Sequence, residues 1–294
     1  MKIQKRDVIV AVITFLVIGS IVAWQQVEKP EFLTVFFFDV GQGDSIFIET
    51  PQGNQILIDG GPNNVVTEKL GKAMPFWDKS IDLVILTHPD SDHITGLVEV
   101  LRQYRVEHIL WTGVEKDTKI FAAWKRALQE EQQEGAEVMS AQTSRRIKWL
   151  KDPSSAFIEV VYPGEDDVVG ALGAVNDTSV VTKLVFHEAS FLFPGDISKK
   201  IEARLIGKGI DIDVDVLKVA HHGSKTSNTE AFLLATSPEL AVIQVGKQNR
   251  YGHPTEEVLA RFRALGIPIL RTDLNGDIVV KSDGKSLKIQ TANK

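Results

Sequence analysis

Apolar positions arrive first in short dense runs. "FLTVFFFDV", "SIFIET" and "QILIDGG" follow one another over residues 32–61, separated by "GQGD" and "PQGN", and read as strands joined by glycine turns. The spacing then changes. "DLVILT" is a short buried strand, "TGLVEVLRQY" has the three-and-four spacing of an amphipathic helix, and "VEHILW" is again a strand. "DTKIFAAWKRALQEEQQEG" predicts a longer helix that stops at Gly135. Downstream, "SVVTKLVF" and "ASFLFPGD" form adjacent strands. "DVLKVA" and "ELAVIQVG" are further strands, and "SKKIEARLIGKG", "NTEAFLLAT" and "TEEVLARFRALG" are helices, the last with Thr255 placed as an N-cap. "NG" at Asn275-Gly276 and "DG" at Asp283-Gly284 signal two closing hairpins.

Strand clusters with interspersed helices in both halves predict two sheets packed face to face with helices outside. The expectation is a four-layer αββα sandwich (α/β, α+β) forming one domain over residues 31–294.

The first 30 residues follow a different pattern. Lys2, Lys5 and Arg6 precede seventeen residues without a charge, Val8 to Trp24, and "QQVEKP" (25–30) then forms a polar linker. Seventeen residues is the short end of a bilayer span and long for the core of a cleaved signal. Residues 1–24 are therefore expected to be an N-terminal transmembrane helix acting as a signal anchor, the alternative being secretion after cleavage. The basic side chains would stay on the cytoplasmic side and leave the rest outside the cell membrane. Net charge over all 294 residues is -6, and the first 24 carry +2, so the remaining body carries -8. Such a body does not coat nucleic acid indiscriminately. Cysteine is absent, which excludes disulfides, thiolate ligands and a cysteine nucleophile.

The chemistry concentrates at predicted strand ends. "LTHPDSDH" sets His88, Asp90, Asp92 and His93 in an H-x-D-x-D-H spacing directly after a buried strand. Four such groups repel one another and are costly to desolvate unless a cation joins them. All four are hard or borderline donors to zinc, manganese or iron. "FLFPGD" adds Asp196, "LKVAHHGS" adds His221 and His222, and "RYGHP" adds His253. His221 and His222 are adjacent and point apart if the backbone is extended, so one of them is favoured as a ligand. His221 ends the strand and is preferred, while His222 remains a substrate contact or a ligand in its place. Asp44 in "GQGDS" reads as part of a turn.

These stretches, with "FFDVGQGDSIFIE", "ILIDGG" and "NDTSVV", resemble the metallo-β-lactamase superfamily, and within it the extracytoplasmic hydrolase domain of ComEC/Rec2-type competence proteins. The resemblance implies two divalent metal ions, Zn2+ or Mn2+. His88 and Asp90 would hold one and Asp92 and His93 the other; Asp196 would bridge them and His221 would complete the second site. Asp59 would support the ligand loop through hydrogen bonds. Asp90 and "NDTS" stand where the superfamily usually has histidines, so Asn176 or Asp177 is a weak ligand or water fills the place, with Asn176 also a substrate contact, and the richer oxygen set moves the site toward manganese.

Such a centre suits hydrolysis, with Asp92 orienting the attacking water and His253 at the mouth of the site as a catalytic residue that contacts the scissile group or protonates a leaving oxygen. Ser224, Lys225 and Arg250, with Lys247, flank the histidine motifs in an acidic body, which points to an anionic, phosphodiester substrate. The family resemblance implies a nuclease. Hydrolysis of small esters, lactones or β-lactams, and a binding domain without turnover, are the alternatives.

Overall fold

The computed structural model describes residues 32–141, 146–148, 156–164, 167 and 174–293, together with Thr14. Apart from Thr14, the expected membrane segment 1–24 and the linker therefore lie outside the described residues. Among those described, no helix is long and apolar enough to cross a membrane.

In chain order the strands are β1 (Leu33–Phe37), β2 (Ile46–Glu49), β3 (Gln55–Ile58), β4 (Ser80–Ile85), β5 (Arg105–Trp111), β6 (Glu137–Ser140), β7 (Arg146–Lys148) and β8 (Ala156–Tyr162). They continue with β9 (Val181–Phe186), β10 (Ala189–Phe193), β11 (Val216–Lys218), β12 (Leu240–Ile243), β13 (Ile269–Arg271), β14 (Ile278–Ser282) and β15 (Leu287–Thr291). The helices are α1 (Val65–Ala73), α2 (Ser91–Gln103), α3 (Lys119–Glu134), α4 (Lys199–Gly207), α5 (Glu230–Thr236), α6 (Glu256–Ala264) and the single turn α7 (Thr272–Asn275). One sheet runs β15-β14-β1-β2-β3-β4-β5-β6 and the other β13-β12-β11-β10-β9-β8-β7.

The alternation of the strands explains the layers. In β1, Leu33, Val35 and Phe37 point between the sheets, where they meet Ile158, Leu184, Phe191 and Val216 of the other sheet. The opposite faces are covered by helices. Phe47, Leu57 and Val84 pack against Leu70, Ile94, Leu97 and Trp124 from α1 to α3, and Leu192, Leu217 and Ile243 against Ile201, Phe232 and Phe262 from α4 to α6. Two mixed sheets flanked by helices are the αββα arrangement the sequence predicts.

α3 ends at Gly135, whose φ of 108° is a left-handed cap, as expected. One turn expectation fails. Asp283-Gly284 does join β14 to β15, but Asn275-Gly276 makes no hairpin. It closes α7, because the chain there leaves β13 in one sheet and crosses to β14 in the other.

Candidate metal centre and active site

The parallel strands β3, β4, β10, β11 and β12 all end on one rim of the sandwich, and the loops leaving them carry the polar clusters. Close packing of these loops requires glycine at two places. A Cβ on Gly43 would collide with the carbonyl of Asp92, and one on Gly96 with the carbonyl of Gly60. Backbone hydrogen bonds from Asp44 N to Asp92 O (3.3 Å) and from Gly60 N to His93 O (2.8 Å) tie the same loops to the first turn of α2.

Asp90 occupies the N-cap position of α2, yet its side chain makes no capping hydrogen bond. Its Oδ1 takes the ammonium of Lys116 at 2.6 Å and its Oδ2 lies 3.9 Å from His88 Nε2. Asp59 sits beneath the motif at a left-handed φ of 57°. It accepts from Thr87 N (2.9 Å) and Thr87 Oγ1 (2.6 Å), and its Oδ2 is 2.7 Å from His93 Nδ1. That contact turns His93 Nε2 toward the centre.

The centre is built around one carboxylate oxygen. Asp196 Oδ2 lies 3.4 Å from His93 Nε2, 3.5 Å from His222 Nε2 and 3.7 Å from His221 Nε2. His222 Nε2 is also 3.5 Å from Asp92 Oδ2, while its Nδ1 is fixed at 2.9 Å from the carbonyl of Gln244. Donor atoms of His88, His93 and Asp196 lie within 4.8 Å of one another, and so do those of Asp92, His93 and His222.

Of the two adjacent histidines, His222 joins the three-donor groups, while His221 Nε2 still lies 3.7 Å from Asp196 Oδ2. Both sit at left-handed backbone angles, φ 50° and 54°, so the extended chain assumed for them is absent. The turn sends the His222 ring inward, where it is buried among the donors. His221 is left half-buried, with Nε2 3.3 Å from Asn176 Nδ2, and in neither three-donor group.

The donor set fits divalent ions. His88 Nε2, His93 Nε2, His222 Nε2 and Asp196 Oδ1 are buried without a hydrogen-bond partner. Four orphaned polar atoms in one place are costly unless a cation takes their lone pairs. Two ligands about 2.0–2.1 Å from one tetrahedral ion stand roughly 3.4 Å apart, the spacing found around Asp196 Oδ2.

Protonation differs across the cluster. Burial and the neighbouring His93 hold His88 down at about 4, so its ring is neutral. Burial opposes charge on His93 too, but Asp196 and Asp59 outweigh it and raise that ring well above the usual imidazole value. Asp196 and Asp44 do the same for His222. Burial would raise Asp196 and Asp92, yet the two charged imidazoles keep both carboxylates low. His253 is lowered to about 4 by burial and by His221 and His222. It is therefore neutral at neutral pH and not poised to donate a proton.

Some sequence-predicted residues reach the cleft and others do not. A cleft of about 240 Å3 is lined by Gln42, Asp90, Asp92, Asn176, Asp196, His221, His222, Tyr251 and His253. Ser224, Lys225 and Arg250 fall outside that lining. Ser224 is buried against Thr226, and Lys225 and Arg250 are exposed. Asp177 turns away, its carboxylate accepting from Ser198 N (3.1 Å).

Sequence reasoning passed over Lys218 and read Asp44 as a turn residue. Both are buried, and they form an ion pair; Lys218 Nζ also lies 3.8 Å from Asp196 Oδ1. Burial would raise the Asp44 carboxyl, but Lys218 and His222 hold it low. The signal for Lys218 was a lysine inside an otherwise apolar strand, since buried lysines are rare unless paired. Lys116 and Tyr251 gave none, because their loops carry no periodicity.

Two packed sheets with a His/Asp cluster at the ends of their strands define a class. The chain belongs to the metallo-beta-lactamase superfamily, whose family model matches residues 38–247, and it is a metal-dependent hydrolase of that fold. Within the superfamily it is related to the ComEC/Rec2 competence proteins. It is 32% identical over 265 residues to ComE operon protein 3 of Bacillus subtilis (strain 168), covering 83% of this chain and 32% of that protein. It is also 32% identical over 263 residues to competence protein ComA of Neisseria gonorrhoeae, covering 89% and 34%. The chain thus spans about a third of the length of these curated relatives. Among solved structures it is similar to Igni18, a metallo hydrolase from Ignicoccus hospitalis KIN4/I, with a TM-score of 0.52 and 17% identity over 84% of this chain and 98% of that one.

Proposed function

We propose that this chain is a binuclear phosphodiesterase acting on DNA, carried outside the cytoplasm on its N-terminal segment. The observation behind the substrate class is the shape and chemistry of the site. The metal cleft has no aliphatic wall, whereas pockets for small apolar ligands are lined mostly by hydrophobic side chains. At Gln42 it adjoins a second open cleft of about 330 Å3, lined by Asp39, Gly41, Gly246, Lys247, Gln248 and Asn249. A polar groove that runs past the reacting centre and meets a lysine suits a polymer with further phosphates on either side. The competence relatives support the same direction.

His88 and Asp90 would hold one ion, and Asp92, His93 and His222 the other, with Asp196 between them; zinc and manganese both accept such donors. When bound, the ions lower the pKa of water and stabilise charge on phosphoryl oxygens. The chain's own groups do the rest. Asp92 stays ionised and accepts a hydrogen bond from the attacking water, holding it in line. Neutral His253, 5.9 Å by ring centre from Tyr251, offers a hydrogen bond at the mouth. The exposed Tyr251 ring is placed for stacking on a base.

The test is the full chain loaded with Mn2+ or Zn2+ and offered single-stranded DNA, a small chromogenic phosphodiester and nitrocefin side by side. Cleavage of both phosphodiesters is expected. Neutralising Lys247 and Arg250 together should raise KM for an oligonucleotide and flatten its salt dependence, because fewer counterions are released, with a much milder effect on the small substrate. Turnover of nitrocefin with none of DNA overturns the proposal.

A further inference from the structure

The rim opposite the metal centre carries a feature that catalysis does not use. Phe76 and Trp77 are 81% and 60% exposed, and their rings meet edge to face at 4.8 Å on the loop between α1 and β4. β4 runs from this loop toward the metal centre, so Phe76 and Trp77 stand at its far end.

β1 starts at that same far end. It is antiparallel to β2, β2 is antiparallel to β3, and β3 is parallel to β4, so Leu33 and Ser80 begin their strands on one rim. The segment that precedes β1 therefore meets the body on the side away from the cleft. Three strand spacings of roughly 4.8 Å put the aromatic loop about 14 Å across the sheet from Leu33. Seven residues separate Trp24, the end of the uncharged stretch, from Phe32. Even fully extended, the eight steps from Trp24 to Phe32 span at most about 29 Å, at roughly 3.3–3.6 Å per residue. If residues 8–24 lie in the bilayer, this rim cannot stand further from its surface than that.

Two lysines stand beside aromatic rings on this rim. Lys79 lies 4.9 Å from the Tyr104 ring, and Lys288 lies 5.1 Å from the Phe32 ring. Acids share the rim, Glu49, Asp78 and Asp283 among them. Asp78 accepts from Ser80 Oγ (2.8 Å) and Gln55 Nε2 (2.9 Å), and Asp283 from Lys285 N (3.0 Å) and Ser286 N (2.8 Å). Aromatic rings with neighbouring lysines are the side chains that settle at the boundary of a bilayer.

We infer that Phe76 and Trp77 form a lipid-contacting tip that seats the body on the bilayer surface, with the metal cleft facing away from the membrane. The inference rests on the membrane reading of residues 8–24 and is independent of the substrate.

The chain has no cysteine, so single labels are simple to place. The full chain is reconstituted into vesicles containing anionic lipid, with a nitroxide on Trp77→Cys, Phe76→Cys, Leu274→Cys or Val17→Cys in separate preparations. Leu274 is 61% exposed on α7, at the cleft end of β13. Collision with oxygen relative to a water-soluble nickel chelate reads the depth of each label. Positions 76 and 77 should give ratios several-fold above position 274, and position 17 a higher ratio still. A hydrocarbon reading at 17 with water readings at 76 and 77 overturns the tip and leaves the anchor standing. A water reading at 17 overturns both. Labels at 76 and 77 shielded from both reagents would mean that protein covers them, which also overturns the inference.

Discussion

The two sides of the metal centre hold their donors in different ways. On one side, Thr87 Oγ1 at 3.0 Å and Ser179 Oγ at 3.3 Å orient His88 Nδ1, and Asp90 leans on the partly exposed Lys116. On the other, His93 and His222 are backed by the buried carboxylates Asp59 and Asp44, and Asp44 is neutralised by Lys218. Burial with no carboxylate hydrogen-bonded to its ring leaves the His88 imidazole neutral; carboxylate partners make His93 and His222 basic and, without an ion, charged. The His88 side is thus ready to bind at once, while the His93 side first sheds protons and then binds with stronger donors. On the two-ion reading proposed above, the ions should differ in affinity and in pH dependence.

The largest effect belongs to the residue both sides share. Asp196→Ala should reduce turnover to background while the circular dichroism spectrum is kept; parental turnover in this variant would remove Asp196 from the bridge. Next comes Lys218→Met, which leaves buried Asp44 with His222 as its remaining cationic neighbour. Breaking one partner of a buried ion pair costs about 3–5 kcal/mol, and a denaturant melt of the ion-free protein should show it. Adding Asp44→Asn should restore most of that loss, and a double variant no better than the single would deny the pairing.

Asp59→Asn should weaken one ion by about 10–100-fold, the usual cost of losing a carboxylate behind a ligating histidine. Titration with Mn2+ or Zn2+ should show the other ion nearly unchanged; equal loss at both would erase the difference between the sides. Proton release sharpens the comparison further. His93 and His222 have raised values in the ion-free fold, so at pH 7 they carry protons that a metal must displace. Calorimetry in buffers of different ionisation enthalpy should find release for one ion only, with its affinity rising with pH. His88, near 4, has no proton to give. The stability contribution of the charged pairs has the matching sign. It is complete below the unfolded imidazole value of 6.5 and is lost as pH rises through the raised folded values. The smallest effect is expected from Lys116→Ala, since half-exposed pairs are worth about 0–1 kcal/mol.

How far the sequence could be read follows the same division. H-x-D-x-D-H is contiguous, and its position after a buried strand showed both its chemistry and its place in the fold. The sandwich was legible because the period of apolar residues changes at each element. The carboxylate-backed side was harder, because it is assembled from residues far apart in the chain. Asp44 and Lys218 are 174 positions apart, and nothing local to either marks the other as its partner. The choice between His221 and His222 turned on a pair of left-handed residues, which alternation in an extended strand cannot foresee. His222 at φ 54° is a costly backbone for histidine, of order 1–3 kcal/mol, kept because it turns the ring inward.

One feature of the sandwich reaches beyond chemistry. His88, Asp92 and His93 belong to the first sheet, and Asp196 and His222 to the second. An ion shared by these donors is a rivet across the seam between two layers that otherwise hold together through apolar packing. Metal concentration then becomes a dial on the cohesion of the sandwich, worth about 2.7 kcal/mol at a hundred times the dissociation constant.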